Sequence, residues 1–592
     1  MSLTKLNFSL KSNQLIDCVW GFKMNFFRKT AWLTPIVCLG LCYPSPGWAQ
    51  LPPPNEPNRD PIPTPIPIPQ PIPDPPIQAP STPAPTADPP QLDNIQDTFT
   101  IQKFQFEGNT AFSDEELAEV IQSYTQKPIS FAELLLAEAA ITQYYIEQGY
   151  VNSGAILQAG QNLSESRGVV TFQILEGGIE EIIITGNKGL NTSYIRSRIA
   201  RKTKTPLNVN ELIEALQLLQ LDPLIAQISA ELAAGPRPEL GTLTITVELA
   251  DPFTVDFFAD NGRTPSVGSF RRGITITEAN LAGLGDKISA TYANTDGSNR
   301  YDFNYTLPIN ATNGTVRFDF YGTDSDVIEE PFDRLDITGE SRRYSFTFRQ
   351  PIYQTPTQDL ALGLTLSREN SETTILDERE PLSAGADAQG RTRISVIRFF
   401  QEYLQRDAQS VFALRSQVSL GVDWFDATKN EEAPDSRFVA WRAQGQYVRL
   451  LAEETLFVIR SDVQLASRPL LALEQFALGG YQSVRGYRQD LLLSDNGVLL
   501  SAEALFPIVN IGDDGVLQVY PFLDFGVGWN SGDRQDPPDS TLLGTGIGLQ
   551  LRLGETLTGR IEYGVPLLDA ETRDKGTLQE DGLYFSLILT PF

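Results

Sequence analysis

The chain has 592 residues, 41% of them apolar, which is enough for several folded domains. Its 74 acidic side chains outnumber its 46 basic ones, and the net charge of -28 argues against nucleic acid as a partner, since phosphates require a basic surface. It has no histidine, and its three cysteines all precede residue 43. The commonest general base and the histidine-dependent nucleophile pairs are therefore excluded, and we expect no enzyme activity, no metal site and no cofactor.

The first 49 residues have the order of a secretory leader with an extension before it. Basic residues at 28–29 precede an apolar run at 31–41, and the small residues Gly47 and Ala49 stand at the cleavage positions. That order is typical of a signal peptide. We expect translation to start at Met24 and export to remove residues 1–49, including every cysteine.

Residues 50–97 predict an extended linker. Of the 40 residues from 51 to 90, 18 are prolines, which excludes a helix and favours polyproline II. Fully extended, this stretch spans roughly 120 Å at ~3.1 Å per residue. Two roles are open for it, a passive solvated spacer and a ligand that docks on a partner.

Residues 98–250 contain an internal repeat. Gly108-Asn109 recurs as Gly186-Asn187, 78 positions later. The same spacing separates two predicted capping boxes, Ser130-x-x-Glu133 and Asn208-x-x-Glu211, in which side chains bind the free amides at a helix start. Each copy predicts a strand, two helices and two strands. The residues expected to pack in the first core are Phe104, Phe106, Leu134, Ile141 and Tyr145.

Such a βααββ module resembles the POTRA, or polypeptide-transport-associated, domain, and we assign POTRA domains to 98–176 and 177–250. The stretch from Gly149-Tyr150 through residues 156–161 is similar to the first such domain of two-partner secretion transporters. A small sheet of this kind offers a free edge, to which an extended client can add a strand through main-chain bonds. The alternative is a structural spacer whose edges are covered.

Residues 251–592 alternate aromatic or β-branched residues with polar ones, and helical periodicity is lost. About sixteen segments are near the length that a tilted strand needs to cross a bilayer, and an even number closes a barrel without free edges. The chain-terminal Phe592 resembles the signal by which outer-membrane barrels are recognised by the barrel assembly machinery. We expect two periplasmic POTRA domains followed by a 16-stranded antiparallel transmembrane β-barrel, with a soluble β-sandwich as the alternative.

Two motifs in the barrel region point to a site. Val484-Arg485-Gly486-Tyr487 falls between the eleventh and twelfth predicted strands, in the sixth outer loop, and Phe522-x-Asp524-x-Gly526 lies in a later strand. An inward carboxylate at Asp524 can pair with the Arg485 guanidinium in bidentate geometry. Glycines let the loop turn tightly, Tyr487 can wedge against the wall, and Phe522 is expected to pack or to face lipid. A static strut and a switch are both open for the pair.

The loop and strand motifs together resemble the two-partner secretion transporters, which are related to BamA-type assembly proteins. The resemblance implies a transporter in outer-membrane lipid that receives an unfolded secreted partner through its POTRA domains and passes it to the cell surface. The alternatives are a BamA-type assembly factor, for which three or more modules are typical, and a passive porin, which leaves the repeats unexplained. Family members carry an amino-terminal plug helix, whereas residues 50–97 predict none.

Overall fold

The computed structural model describes residues 77–78, 98–161, 168–235, 237, 239–512, 514–570 and 576–591. The predicted leader, most of the Pro-rich linker and the predicted assembly signal Phe592 lie outside these residues. Among the helices in the described ranges, none has both the length and the apolar content that crossing a membrane requires.

The described part of the chain before the barrel forms two small α/β domains, and the predicted βααββ order is confirmed in both. The elements of the first are β2 (Phe99–Thr100), β3 (Lys103–Glu107), α1 (Asp114–Val120), β4 (Pro128–Ile129), α2 (Phe131–Glu147), β5 (Gly154–Leu157) and β6 (Val169–Leu175), preceded in the linker by β1 (Ile77–Gln78). Those of the second are β7 (Gly178–Thr185), α3 (Thr192–Ala200), α4 (Val209–Gln220), β8 (Ile225–Ala234) and β9 (Leu240–Leu249). The sheet orders are β3-β6-β5 and β1-β8-β9-β7.

The two domains repeat one local turn. Gly108 and Gly186 have φ values of +93° and +82°, which favour glycine. A side chain at either position would meet a strand carbonyl, that of Ile174 in the first domain and that of Val247 in the second. The asparagine that follows each glycine donates to a carbonyl before the first helix in both copies. The 78-residue spacing therefore reflects a structural repeat.

The helix starts of the two domains differ. Ser130 Oγ accepts from the Glu133 amide at 3.3 Å, and Glu133 Oε2 accepts from the Ser130 amide at 2.7 Å, which confirms the first capping box. That backbone hydrogen bond lowers the pKa of Glu133. The box predicted in the second domain is wrong, because Asn208 Oδ1 accepts from the nearer Asn210 amide at 3.0 Å. Glu211 instead lies 3.7 Å from a lysine ammonium. Asparagine readily bonds the amide two residues on, and this local bond replaces the reciprocal one.

The core of the first domain lies between the helices and the sheet. The predicted core residues Phe104, Phe106, Leu134, Ile141 and Tyr145 are all buried. The buried positions of α2 lie three or four residues apart, whereas those of β6 alternate. Each element thus presents one apolar face to the other, as its sequence period requires.

Sixteen antiparallel strands among the described residues close a barrel, as predicted. They are β10 (Phe253–Asp260), β11 (Arg271–Ala279), β12 (Lys287–Asn294), β13 (Ser298–Pro308), β14 (Thr315–Asp326), β15 (Ile337–Gln354), β16 (Gln358–Ile375), β18 (Arg391–Arg406), β19 (Ser410–Val422), β20 (Val439–Ala452), β21 (Thr455–Ala466), β24 (Asn496–Ile511), β25 (Gly515–Trp529), β26 (Thr541–Leu553), β27 (Leu557–Pro566) and β28 (Leu583–Leu589). The short strands β17 (Glu378–Arg379), β22 (Phe476–Leu478) and β23 (Leu492–Ser494) lie in loops. Pairing of β10 with β28 closes the wall, from Phe257 opposite Leu589 to Asp260 opposite Ser586.

The second α/β domain contacts one end of the barrel, which we call the near end. The Asn191 amide donates to the Gly283 carbonyl at 2.8 Å, in the turn between β11 and β12. Arg198 Nε donates to Asn313 Oδ1 at 2.8 Å, in the turn between β13 and β14. Because the strands alternate in direction, the loops that follow β10, β14, β21 and β27 lie at the opposite, far end.

Candidate functional site: a loop docked inside the barrel

The sixth far loop, residues 467–495, folds back into the barrel. It connects β21 and β24, the eleventh and twelfth strands of the wall, and its own short strands β22 and β23 pair as a hairpin. Val484 and Tyr487 from the loop tip are buried with Leu542 of the wall in one apolar cluster. The loop that carries the arginine motif is therefore packed against the inner wall.

Arg485 binds Asp524 of β25 through two nitrogens of its guanidinium, Nε and Nη2. Nε lies 2.7 Å from Oδ2 and Nη2 lies 2.8 Å from Oδ1, and the backbone amide of Arg485 also donates to Oδ2 at 3.1 Å. Arg485 is 3% exposed and Asp524 is 0% exposed. The structure thus brings these two predicted residues together in a buried bidentate pair, the geometry that binds a carboxylate most strongly.

Two further carboxylates, which the sequence analysis missed, complete the surroundings of Arg485. Nη1 lies 2.7 Å from Glu503 Oε1 on β24 and 3.3 Å from Glu562 Oε1 on β27. Arg560 Nη2 lies 3.2 Å from Glu503 Oε2, and the more exposed Arg460 lies 3.1 Å from Oε1 of the same glutamate. Buried negative charge is thereby matched by arginines, as burial of ions requires. The sequence does contain a pattern that could have indicated Glu503 and Glu562, because each is a charged residue within an otherwise apolar membrane strand.

Phe522 lies on the same face of β25 as Asp524, and Leu523 between them is 51% exposed on the outer surface. The guanidinium carbon of Arg485 stands 3.6 Å from the centroid of the Phe522 ring. Phe522 therefore packs inside the barrel beneath the cation, and the alternative that it faces lipid is wrong. A cation over an aromatic face gains energy most where water is excluded. Gly526, one step further along this face, leaves room for Val484.

Glycines of the wall make the hollow in which the loop lies. A side chain at Gly544 of β26 would meet the carbonyl oxygen of Arg485, and one at Gly564 of β27 would meet the amide of Gly486. Gly486 has φ +100° and donates its amide to the Tyr584 hydroxyl at 2.9 Å. The backbone of the loop thus approaches the wall as closely as only glycine permits.

Tyr487 fixes the loop tip to the far half of the wall. Its hydroxyl lies 2.8 Å from the Leu568 carbonyl and 3.2 Å from the Leu543 amide, and its own carbonyl accepts from the Tyr584 hydroxyl at 2.6 Å. The ring is buried against the apolar cluster of the loop. Tyr487 therefore anchors the motif through both its ring and its polar ends.

Arg488 ties the loop tip to two other far loops. Its Nη1 and Nη2 lie 2.7 and 3.0 Å from the two carboxylate oxygens of Glu329, in the loop between β14 and β15. Nη1 also lies 3.3 Å from Glu580, in the loop between β27 and β28. The Gln489 amide donates to Gln579 Oε1 at 2.9 Å in that same loop. The docked loop is therefore tied to the far loop between β14 and β15 and to the one between β27 and β28.

Arg488→Gln is expected to loosen these far loops while the Arg485 pair stays formed. The change removes the cation that Glu329 and Glu580 share. Loss of one charged hydrogen bond costs ~1.5 kcal/mol, which corresponds to roughly tenfold more frequent opening of these loops. Cleavage of the far loops by protease added to intact cells measures this. Arg334→Gln removes the same charge from an exposed position of the Glu329 loop and is the control. Equal cleavage of the two variants would contradict the role given to Arg488.

Known proteins resemble this chain over most of its length. The model of the haemolysin secretion/activation protein family ShlB/FhaC/HecB matches residues 241–551, and that of the ShlB-type POTRA domain matches residues 99–177. The outer membrane transporter CdiB of Dickeya dadantii is 21% identical over 409 residues, 67% of this chain and 71% of that protein. The heme/hemopexin transporter protein HuxB of Haemophilus influenzae is 22% identical over 441 residues, 70% of this chain and 73% of that protein. The solved structure of CdiB from Escherichia coli has a TM-score of 0.66 at 20% identity, covering 86% of this chain and 92% of that one.

Proposed function

The chain belongs to the haemolysin secretion/activation family ShlB/FhaC/HecB, and we propose that its docked loop is the closed state of a pore for an unfolded secreted protein. As a member of this family it is an outer-membrane transporter of two-partner secretion, and its POTRA domains lie in the periplasm. The near end of the barrel thus faces the periplasm and the far end faces the cell surface.

The observation that carries the proposal is the contact of the sixth loop with the inner wall. The loop meets β24, β25 and β27 through the Arg485 side chain. These are side-chain contacts, whereas the wall itself is held by strand pairing. The loop can therefore leave the lumen without breaking the barrel, and a polypeptide can pass where it lay. Arg485 and Asp524 then act as a switch, with the docked pair as its closed position.

Folding of the client outside the cell sets the direction of transport. An extended chain that folds once it is outside is removed from the exit, and this biases its diffusion outward by mass action. The periplasmic domains select the client through main-chain bonds, which tolerate many sequences. We further propose that Phe592 is recognised by the barrel assembly machinery when the transporter itself is inserted into outer-membrane lipid.

The test follows a candidate secreted client in cells with the wild-type chain, with Arg485→Ala, or with a chain lacking residues 98–250. The deletion removes the domains that receive the client, and Arg485→Ala removes one of the two positions between which the loop must switch. We therefore expect the client to stay in the periplasm in both variants while the barrels are inserted normally. Arg334→Ala is the matched surface control and is expected to secrete as the wild type does. Unchanged secretion together with a fall in other outer-membrane proteins would instead support an assembly factor of the BamA type.

A further inference from the structure

The outer face of β16 changes from apolar to cationic toward its far end. Leu364 and Leu366 are exposed on the outer surface of the barrel. Arg368 follows two positions later on the same face of the strand, which runs toward the cell surface. Outward apolar side chains mark the hydrocarbon layer of the bilayer. Arg368 therefore lies at the outer-leaflet rim of that layer.

Exposed aromatic side chains surround Arg368. Tyr344 of β15 pairs directly with it and points outward. Trp424 and Phe425 are exposed in the far loop between β19 and β20, and Phe425 is 78% exposed. Phe425 also has a φ of +55°, a conformation that bulky residues rarely adopt. Aromatic rings held outward at this depth suit the boundary between hydrocarbon and lipid head groups.

Neutral groups hold the side chain of Arg368. Its Nη1 donates to Ser395 Oγ at 3.0 Å and to the Trp424 carbonyl at 3.4 Å. Within the described ranges, Arg368 makes no ion pair. Because one nitrogen makes both of these bonds, Nε and Nη2 remain for an anion, and this edge of a guanidinium binds phosphate in bidentate geometry.

Two arginines of the neighbouring strand share one carboxylate. Arg391 Nε lies 3.1 Å from Asp387 Oδ2, and Arg393 Nη2 lies 3.6 Å from the same oxygen. Arg393 Nε is buried and binds no partner in the part of the chain that the structure describes. Arg393 is a diagonal neighbour of Arg368, because Arg368 pairs with Ser395, and such neighbours lie roughly 7–8 Å apart. One phosphate group can therefore contact both Arg368 and Arg393.

Arg342 of β15 shows the contrasting case of an outward arginine with full charge compensation. It lies across Asn370 from Arg393 in the strand pairing. Its Nη2 is 2.7 Å from Asp324 and 3.0 Å from Glu340. The chain thus supplies two carboxylates to one arginine of this rim, whereas Arg368 has none in ion-pair contact. The uncompensated charge is specific to the β16–β18 face.

We propose that Arg368 and Arg393 bind a phosphate group of an outer-leaflet glycolipid, lipopolysaccharide, while Trp424 and Phe425 contact its acyl chains. The charge of the site is complementary to a lipid phosphate, and its exposed aromatic residues match the apolar part of the same molecule. The site lies on the outer wall, away from the docked loop in the lumen. It gives the barrel a bound lipid whether or not the sixth loop opens.

Native mass spectrometry of the full chain, purified in mild detergent and then mixed with lipopolysaccharide, tests this. The double variant Arg368→Gln/Arg393→Gln is expected to retain at least about tenfold less lipid than the wild type, because its charged hydrogen bonds to phosphate are lost. Dephosphorylated lipopolysaccharide is expected to bind the wild type as weakly. Equal retention of the phosphorylated and dephosphorylated forms would overturn the proposal.

Arg449→Gln is the matched control. Arg449 is exposed near the end of β20 that faces the periplasm, and its Nη1 lies 3.3 Å from the Tyr447 hydroxyl. Its loss removes the same charge from the opposite rim, so retention is expected to equal that of the wild type. An equal loss of lipid in this control and in the double variant would show that charge alone governs binding and would contradict a built site.

Two further arms exclude a structural role and a free anion. Arg368→Lys/Arg393→Lys keeps both charges and is expected to retain lipid within about threefold of the wild type. A fall as large as that of the glutamine variant, with heat-stable barrels on gels in both, would make the arginines structural and overturn the proposal. Inorganic phosphate offers no acyl chain and is expected not to displace the lipid. Complete displacement by inorganic phosphate would refute the assignment to lipid.

Discussion

Asp524→Ala is expected to release the sixth loop from the barrel wall. Asp524 accepts hydrogen bonds from Arg485 Nε, Nη2 and the backbone amide, and it is fully buried. Removing one partner of a buried ion pair costs about 3–5 kcal/mol where the remaining charge has no other partner. Glu503 and Glu562 still face Arg485 in this variant, so the lower end of that range applies. About 3 kcal/mol raises the undocked fraction roughly 150-fold. In planar bilayers we expect larger and more frequent openings than in the wild type.

The control for this change removes an aspartate from a wall pair outside the loop. Asp302 accepts from Arg300 Nε at 2.8 Å and from Nη2 at 3.1 Å, and both residues lie on β13. Asp302→Ala is therefore expected to open as rarely as the wild type. Comparison of the double variant Arg485→Ala/Asp524→Ala with the two single variants gives the coupling energy of the pair. Wild-type conductance in Asp524→Ala would mean that the pair does not hold the loop.

Gly544→Val is expected to expel the same loop by steric conflict while leaving the charges unchanged. Gly544 lies directly opposite Asp524 in the pairing of β25 with β26, and a side chain there would meet the Arg485 carbonyl. A backbone oxygen cannot turn aside as a flexible side chain can, so the loop itself must shift. Overpacking of a close contact costs about 1–3 kcal/mol. Valine favours strands, so insertion of the barrel is expected to be normal.

Gly559→Val on β27 is the matched control for Gly544→Val. A side chain at Gly559 would meet only the Leu587 side chain, at an ordinary contact distance of 3.5 Å. Both variants are assayed for heat-stable barrel on gels, for conductance and for cleavage of the sixth loop by external protease. Increased conductance and cleavage are expected for Gly544→Val alone. The same response from both variants would mean that the wall, and not the hollow for the loop, was disturbed.

The sequence by itself determined the features that are local in the chain. Strand alternation has a period of two residues and the helix contacts a period of three to four, so barrel strands and POTRA elements can be predicted from neighbouring residues. The 78-residue repeat likewise predicts two modules of one fold, because two copies of one sequence pattern fold alike. The pairing of Arg485 with Asp524 could be predicted because each residue stands in a short, distinctive motif.

Only the tertiary structure decided which distant residues meet. Arg488 binds Glu329 and Glu580, which are 159 and 92 residues away. Glu503 and Glu562 lie beside Arg485 because the loop docks over β25 and β26, and β24 and β27 are the next strands on either side of these in the wall. The stagger of strands around a closed wall sets these encounters, and no period within a strand encodes that stagger.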